Sequence, residues 1–198
     1  MTKISKLNSE NTQSLQCCYN RYIVLELCQK ETLADVISGT YKGAPLPSQL
    51  EVLYQIADGL SYIHEKNIIH RDLKPHNILI SKDSIIKLSD FGFCKELDAQ
   101  SASSISGLKG TMNWLAPELH EIDEQTGKSK QKATKETDIF ATGLIFFVFL
   151  TKGVHPFGNR IDSIEIPVNI KNNNRINSNI NSTVDLLYKN IIILVHFL

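Results

Sequence analysis

The sequence has no excess of charge of either sign, because 21 lysines and arginines balance 21 aspartates and glutamates over 198 residues. A neutral chain gives no bulk electrostatic attraction to nucleic acid or to an anionic membrane. Cysteine is scarce too, and Cys17, Cys18, Cys28 and Cys94 have neither regular spacing nor paired histidines. This pattern indicates neither a disulfide framework nor a zinc site. We therefore expect a reduced, cytoplasmic environment and no nucleic acid partner for this segment.

Long apolar runs are missing as well. The longest, residues 139–150, has 12 residues and is interrupted by Thr142 and Gly143, so it is too short to span a bilayer and predicts a buried helix. The first five residues begin no apolar region of the kind found in signal peptides. Residues 1–20 are polar and contain no glycine, and we predict an irregular segment there. These absences predict a soluble chain without a membrane partner for this segment.

Two short apolar runs, residues 78–80 and 85–88, are separated by the turn residues Ser-Lys-Asp-Ser and predict a β-hairpin. The motif His-Arg-Asp-Leu-Lys-Pro-His-Asn at residues 70–77 precedes the hairpin, and Asp-Phe-Gly at residues 90–92 follows it. Both motifs therefore lie at the same end of the hairpin. We expect their aspartate and asparagine side chains to lie close together.

These motifs resemble the signature of eukaryotic protein kinases of the serine/threonine type. Ala-Pro-Glu at residues 116–118 stands where that family closes its activation segment, and Lys-Pro at residues 74–75 is typical of its serine/threonine members. The resemblance implies an α+β, protein-kinase-like fold over residues 21–160, with a mostly helical large lobe and a short β-hairpin at the catalytic loop. It also implies ATP and Mg²⁺ as cofactors.

The amino-acid sequences of four stretches are similar to one family in particular, the inositol-requiring endoplasmic-reticulum stress sensor. Members of that family are kinases coupled to an endoribonuclease. The 2-5A-dependent endoribonuclease is the next relative by the same resemblance. This implies a stress-sensor kinase of the unfolded protein response that phosphorylates a protein substrate or itself and can form a kinase–kinase dimer. A full-length sensor would place this segment on the cytosolic face of the endoplasmic-reticulum membrane. The four stretches are residues 22–28, 89–95, 110–118 and 155–158.

The resemblance assigns catalytic roles that suit phosphoryl transfer, a reaction that requires positioning and charge neutralisation. Asp72 would orient the substrate hydroxyl and accept its proton, and Lys74 would place a positive charge on the transferring phosphate. The hydroxyl of Thr111 would bridge these two side chains. Asn77 and Asp90 would supply oxygen ligands to the metal ions.

The same resemblance predicts an ATP site. Leu25 would be the gatekeeper, the backbone of Glu26 and Cys28 would hydrogen-bond the adenine edge, and Leu79 would contact the adenine from below. The phosphates and metal would be held by Lys74, Asn77 and Asp90.

Four serines follow the Asp-Phe-Gly motif in a polar stretch that contains glycine. They are interpreted either as a solvated loop or as phosphorylation sites whose added charge could pair with Arg71, and both interpretations can hold. The serines are Ser101, Ser103, Ser104 and Ser106.

Local patterns predict the surrounding helices. Residues 32–37 predict a short helix capped by its threonine, and Ser48 caps an amphipathic helix of about 18 residues that ends near residues 66–67. The apolar helix over residues 138–150 opens with an aspartate that, by the resemblance, holds the backbone of the His-Arg-Asp turn. The charged residues 121–136 predict a surface loop.

Two departures from the family pattern leave alternatives open. Residues 1–20 contain no glycine-rich loop and no strand lysine, so the small lobe is expected to be largely missing. Residues 161–198 are rich in asparagine and are expected to be divergent. The chain is interpreted as a serine/threonine kinase, as a truncated pseudokinase that binds or regulates a partner without catalysis, or as a fragment with no independent role.

Overall fold

The structure, a computed structural model, describes residues 26–96, 110–122, 125, 129 and 131–177. The predicted gatekeeper Leu25, the four serines of the polar stretch and the irregular segment at residues 1–20 lie outside the described residues.

The described chain contains α-helices, short antiparallel strands and 3₁₀ turns, which confirms the α+β class. The α-helices are α1 (Leu33–Ser38), α2 (Gln49–Glu65), α3 (Lys135–Leu150) and α4 (Ile166–Lys171). The strands are β1 (Ile68–Ile69), β2 (Ile78–Ile80), β3 (Ile86–Leu88) and β4 (Lys95–Glu96). The 3₁₀ turns are Pro75–Asn77, Phe91–Phe93, Met112–Trp114 and Pro117–His120.

Helices α1 and α2 begin at the predicted caps. At α1, the Asp35 carboxylate accepts hydrogen bonds from the Thr32 N–H at 2.7 Å and from its hydroxyl at 2.9 Å. At α2, the Ser48 hydroxyl accepts from the Glu51 N–H at 3.2 Å. These bonds satisfy amide groups that a helix N-terminus leaves without an internal partner. The two predicted helices are therefore confirmed.

The predicted hairpin is present as the antiparallel pair β2–β3, with Ile78 opposite Leu88 and Ile80 opposite Ile86. Gly59 on α2 lets this helix pack closely against β3, because a Cβ at Gly59 would lie only 3.4 Å from the Leu88 side chain. A second pair, β1–β4, joins residues on either side of the hairpin. This second pair was not predicted from the sequence.

Helix α3 begins three residues earlier than predicted. The expectation that residues 121–136 form a surface loop is therefore wrong for residues 135 and 136, which are helical. Thr134 is the N-cap, and its N–H donates to the Thr137 hydroxyl at 3.2 Å while that hydroxyl donates back to the Thr134 carbonyl at 2.7 Å. This reciprocal bonding starts the helix at Lys135 and brings Asp138 into its first turn.

Among the described residues, one hydrophobic core joins the helices to the hairpin. Helix α4 also belongs to it, because Ile166 and Ile170 are completely buried. This asparagine-rich stretch has no clear sequence pattern, so α4 was not predicted. In the part of the chain that the structure describes, no helix has both the length and the apolar character needed to cross a membrane.

Candidate active site

The turn at His70 and Arg71 is held by one buried carboxylate. Asp138 is 2% exposed, and its Oδ2 accepts the His70 N–H at 2.7 Å while its Oδ1 accepts the Arg71 N–H at 2.9 Å. Arg71 adopts a left-handed conformation with φ of 70°, which is costly for a residue with a side chain. The predicted role of Asp138 in holding this turn is confirmed.

The turn delivers Asp72 into a cluster of hydrogen-bond donors. Its Oδ2 accepts from Lys74 Nζ at 2.8 Å and from Asn77 Nδ2 at 3.0 Å. Its Oδ1 accepts from the Thr111 N–H at 3.0 Å and from the Thr111 hydroxyl at 3.1 Å. Lys74 Nζ also donates to the Thr111 hydroxyl at 2.8 Å. The structure thus brings together the four residues predicted to be catalytic.

Asn77 and Asp90 present oxygen atoms that are suitable for a hard cation. The Asn77 amide donates from Nδ2 to both the carboxylate and the carbonyl of Asp72, which fixes the amide orientation and leaves Oδ1 without a hydrogen bond from any described residue. Asp90 is exposed and adopts a left-handed backbone with φ of 61°. A Cβ at Gly92 would come within 3.3 Å of its Oδ1.

The oxygen atoms of Asn77 and Asp90 suit a metal ion that is also bound by phosphate and water, as Mg²⁺ commonly is, better than a metal ion bound by protein ligands alone. No group of three or more histidine, cysteine, aspartate or glutamate side chains with metal-binding geometry occurs among the residues described. Mg²⁺ is commonly bound through one or two protein oxygens together with substrate phosphates and water. Asn77 and Asp90 carry oxygen donors of that kind, and their part in binding Mg²⁺ remains a prediction.

Ser89 connects the two candidate metal ligands. Its N–H and its hydroxyl both donate to the Asn77 carbonyl at 2.9 Å. The Ser89 carbonyl lies 2.9 Å from His70 Nε2, which donates to it. Because Ser89 precedes Asp90, these bonds fix the start of the Asp-Phe-Gly segment relative to the catalytic loop. This serine was not among the predicted site residues.

The residues after Asp90 contact the same turn. The rings of Phe91 and His70 have centroids 5.2 Å apart and are tilted by 52°, so the two rings are in contact. The Arg71 guanidinium donates to the carbonyls of Phe93 and Cys94. Burial raises the pKa of the Cys94 thiol to about 11.

The predicted adenine-binding residues lie beside the hairpin. The Gln29 N–H donates to the Ile80 carbonyl at 2.8 Å, which places the segment containing Glu26 and Cys28 along β2. The Glu26 side chain forms an exposed ion pair with Lys87 at 2.6 Å. Leu79 is half-buried on β2. The structure therefore brings these three predicted residues to one region, and their part in nucleotide binding remains a prediction.

Two further residues shape the site and were missed. Gly110 has φ of +110°, and a Cβ there would lie 2.8 Å from the Arg71 carbonyl oxygen. His64 Nε2 lies 3.0 Å from Asp138 Oδ2. Gly110 directly precedes the predicted site residue Thr111, and this position in the sequence is the feature from which its role could have been predicted. His64 and Asp138 are 74 residues apart, and no local pattern links them.

Comparison with known proteins agrees with this geometry. The family model described as "Protein kinase domain" matches residues 6–193. The serine/threonine-protein kinase/endoribonuclease IRE1 of Hypocrea jecorina is 37% identical over 69% of this chain and 14% of its own length. Human serine/threonine-protein kinase/endoribonuclease IRE2 is 40% identical over 71% of this chain and 15% of its own length. The "Sensor for unfolded proteins in the ER ire1" of Schizosaccharomyces pombe is 38% identical over 71% of this chain and 15% of its length. The chain thus spans about one seventh of these curated relatives.

Proposed function

The chain belongs to the protein kinase family, and we propose that it functions as a serine/threonine protein kinase that transfers the γ-phosphate of ATP to protein hydroxyls. Family membership confirms the resemblance drawn from the motifs and the kinase-like fold class. The observation that carries the proposal is the cluster in which Asp72 accepts hydrogen bonds from Lys74, Asn77 and Thr111.

Asp72 is the proposed proton acceptor. A carboxylate has about four lone-pair positions, and four donor contacts from the chain occupy them here. A substrate hydroxyl can therefore bind only by replacing one of these donors. The two donors from Thr111 and the amide of Asn77 are fixed by backbone or by a second hydrogen bond, so they are the least able to leave.

Lys74 is the donor best placed to move. Its side chain is 22% exposed, and its ammonium group sits on a long flexible stem. Movement of Nζ toward a phosphate would free one position on Asp72 Oδ2 for the substrate hydroxyl and add positive charge where the phosphoryl group is transferred. The hydroxyl of Thr111 would keep the ammonium close to Asp72.

Asn77 Oδ1 and the Asp90 carboxylate would hold Mg²⁺. Bound ATP with Mg²⁺ supplies the phosphoryl group and neutralises its charge. The backbone of Glu26 and Cys28, together with the Leu79 side chain, would bind the adenine ring.

The names of the relatives suggest the wider context. They include kinases that are also endoribonucleases and a sensor for unfolded proteins. We extend the proposal to a stress-sensor kinase of the unfolded protein response that phosphorylates itself or another protein within a kinase–kinase dimer. A position at the cytosolic face of the endoplasmic-reticulum membrane belongs to the same proposal.

The proposal is tested by phosphotransfer from radiolabelled ATP by the purified full chain, with and without Mg²⁺. We expect phosphoserine or phosphothreonine in the product, loss of signal with a metal chelator, and loss in Asp72→Asn. The matched control is Asp83→Asn, an exposed acid in the hairpin turn that should retain activity. Equal signal in Asp72→Asn and wild type would contradict the proposed mechanism. No transfer by a folded wild-type chain would favour the non-catalytic binding module.

A further inference from the structure

Helix α2 has an outer face on which large apolar side chains alternate with acids. Leu50, Tyr54 and Tyr62 are 64%, 60% and 62% exposed, and their spacing of four and eight residues places them on one side of the helix. We propose that this outer face is a docking site for a basic partner segment that also carries apolar side chains. The outer face consists of Leu50, Glu51, Tyr54, Asp58, Tyr62 and Glu65.

The apolar part of the outer face offers a surface that a partner can cover. A covered aromatic side chain buries about 150–250 Å², so the two tyrosines and Leu50 together expose on the order of 300 Å² to solvent. The tyrosines are not needed for α2 to form, because tyrosine has only a moderate helix propensity and the opposite side of the helix already packs in the core. Apolar patches of a few hundred Å² that polar residues border are often interaction sites.

The acids form a row along the same face. Helix α2 contains three acids and neither lysine nor arginine, in a chain whose formal charges sum to zero. Glu51, Asp58 and Glu65 follow one another at intervals of about two helical turns. The helix dipole favours an acid in the first turn, where Glu51 lies, but disfavours Glu65 at the last position. The stability of α2 therefore does not account for the whole row, whereas attraction of a basic partner does.

One of these acids is held in place from the side. The Gln55 side chain donates from Nε2 to Glu51 Oε1 at 2.7 Å and accepts the Ile86 N–H at 2.8 Å through its own Oε1. It thereby connects the Glu51 carboxylate to strand β3. A carboxylate that already has a fixed orientation loses less conformational freedom when it binds a cation.

A cation of the chain already lies on the outer face. Lys66 follows the last residue of α2, and its Nζ is 5.7 Å from the centroid of the Tyr62 ring, a distance at which an ammonium group is attracted to the ring. Asp58 lies about one turn from both tyrosines, between Tyr54 and Tyr62. A lysine or arginine of a partner that reaches Asp58 would therefore lie beside an aromatic ring as well.

A second copy of this chain is a poor occupant of the outer face. In a two-fold dimer, parallel packing of the two α2 helices would place each acid against its own copy. Antiparallel packing centred on Asp58 would place Asp58 against its copy and Glu51 against Glu65. Like charges brought together in an interface are unfavourable. The charge of the face therefore favours a partner that carries lysine or arginine.

The test measures binding of labelled peptides to the full chain by fluorescence anisotropy. The probe is a peptide of about 16 lysine and leucine residues, which as an amphipathic helix is about 24 Å long and matches the length of the face. One control peptide replaces each leucine by serine, and the other replaces each lysine by glutamate. We expect the affinity for the probe to exceed that for either control peptide about ten-fold or more, and to fall as salt is added.

Two double variants locate the binding. Tyr54→Ser with Tyr62→Ser removes the aromatic rings, and Asp58→Lys with Glu65→Lys reverses two acids. Each should weaken binding of the probe about ten-fold or more. The charge-reversed chain should instead bind the glutamate–leucine peptide more tightly than wild type does. Loss of folding cannot produce that gain, so the result does not depend on the stability of the variants.

The matched control reverses two exposed acids that are not on α2, Asp83→Lys with Glu121→Lys. This chain carries the same change in net charge and should bind the probe within about two-fold of wild type. An equal loss of affinity in this control and in the charge-reversed chain would show a general attraction between opposite charges. That outcome would overturn the proposal.

Two further results would also overturn it. One is the absence of saturable binding of the probe by a folded wild-type chain. The other is a wild-type dimer, detected by analytical ultracentrifugation, that Tyr54→Ser with Tyr62→Ser abolishes, because a second copy would then occupy the face. Binding is measured directly, so the outcome does not depend on whether the chain transfers phosphate.

Discussion

Thr111 donates two hydrogen bonds to a single oxygen of Asp72, one from its N–H at 3.0 Å and one from its hydroxyl at 3.1 Å. The two residues are 39 positions apart in sequence. The hydroxyl simultaneously accepts from Lys74 Nζ. Thr111 therefore fixes the Asp72 carboxylate through its backbone N–H, and its side-chain hydroxyl bridges that carboxylate and the Lys74 ammonium group.

Replacement of the Thr111 hydroxyl tests this second contribution. Thr111→Val keeps the shape and the backbone N–H but removes the bridge between Asp72 and Lys74. A hydrogen bond to a charged group contributes about 1.5–3 kcal/mol, so we expect kcat to fall about ten-fold to a hundred-fold. KM for ATP should change little. Thr111→Ser restores the hydroxyl and should restore most of kcat, and equal losses in both variants would argue against the bridge.

Gly110 is the residue that lets the chain reach Asp72. Its φ of +110° is unfavourable for any residue with a Cβ, and a Cβ would lie 2.8 Å from both the Arg71 carbonyl oxygen and a Leu115 methyl group. We expect Gly110→Ala to lower the free energy of unfolding by about 2–4 kcal/mol, as measured by urea denaturation.

Gly39 offers a matched control for that variant. It also has a positive φ of +74°, but a Cβ there would meet nothing within 4 Å. Gly39→Ala should therefore cost only the backbone strain, about 1 kcal/mol. If both variants lost the same stability, steric conflict at Gly110 would play no part.

Features with local signals could be predicted from the sequence. Thr32 and Ser48 each precede an apolar helical pattern, and both cap helices in the structure. The hairpin at residues 78–88 was evident from two β-branched runs around a polar turn, and its register follows. Asp72 and Asp138 were placed by the family resemblance, and the hydrogen bonds of the latter confirm its part in the turn.

Helix α3 begins at a Thr134–Thr137 pair, a local cap that differs from the usual acidic capping pattern, so its start was predicted three residues too late. Features that depend on distant contacts were not predictable from local patterns. Helix α4 lies in a polar stretch, and only burial of Ile166 and Ile170 against the core explains it. His64 reaches Asp138 across 74 residues. In each case, tertiary packing determines the structure.

His155 should make stability depend on pH. It is completely buried, and its Nδ1 accepts a hydrogen bond from the Phe157 N–H at 3.1 Å. Burial lowers its pKa from 6.5 to about 4, so between these values the unfolded chain binds more protons than the folded chain. The contribution of His155 to the free energy of unfolding should therefore be complete above pH 6.5. As the pH decreases to about 4, the free energy of unfolding should fall by about 3 kcal/mol in total.

The variant His155→Leu removes this titration. The variant also removes the ring acceptor of the Phe157 N–H, which changes its absolute stability for a second reason. The readout is therefore the slope of the unfolding free energy against pH. We expect a flatter slope between pH 4 and 6.5 than in wild type. The control His76→Gln changes an exposed histidine and should leave the slope as it is. A wild-type slope in His155→Leu would contradict the assignment.

Cys94 should be a slow nucleophile in the folded chain. Its Sγ lies 3.6 Å from the His70 carbonyl oxygen, and burial raises its pKa from 9.0 to about 11. Because the thiolate is the reactive form, iodoacetamide at pH 7.5 should alkylate Cys94 about a hundred-fold more slowly than in the urea-unfolded chain. Peptide mass spectrometry gives the rate for this cysteine separately from the other three. Equal rates in the folded and unfolded chain would show that the thiol is not held in this environment, because unfolding removes both the burial and the neighbouring carbonyl.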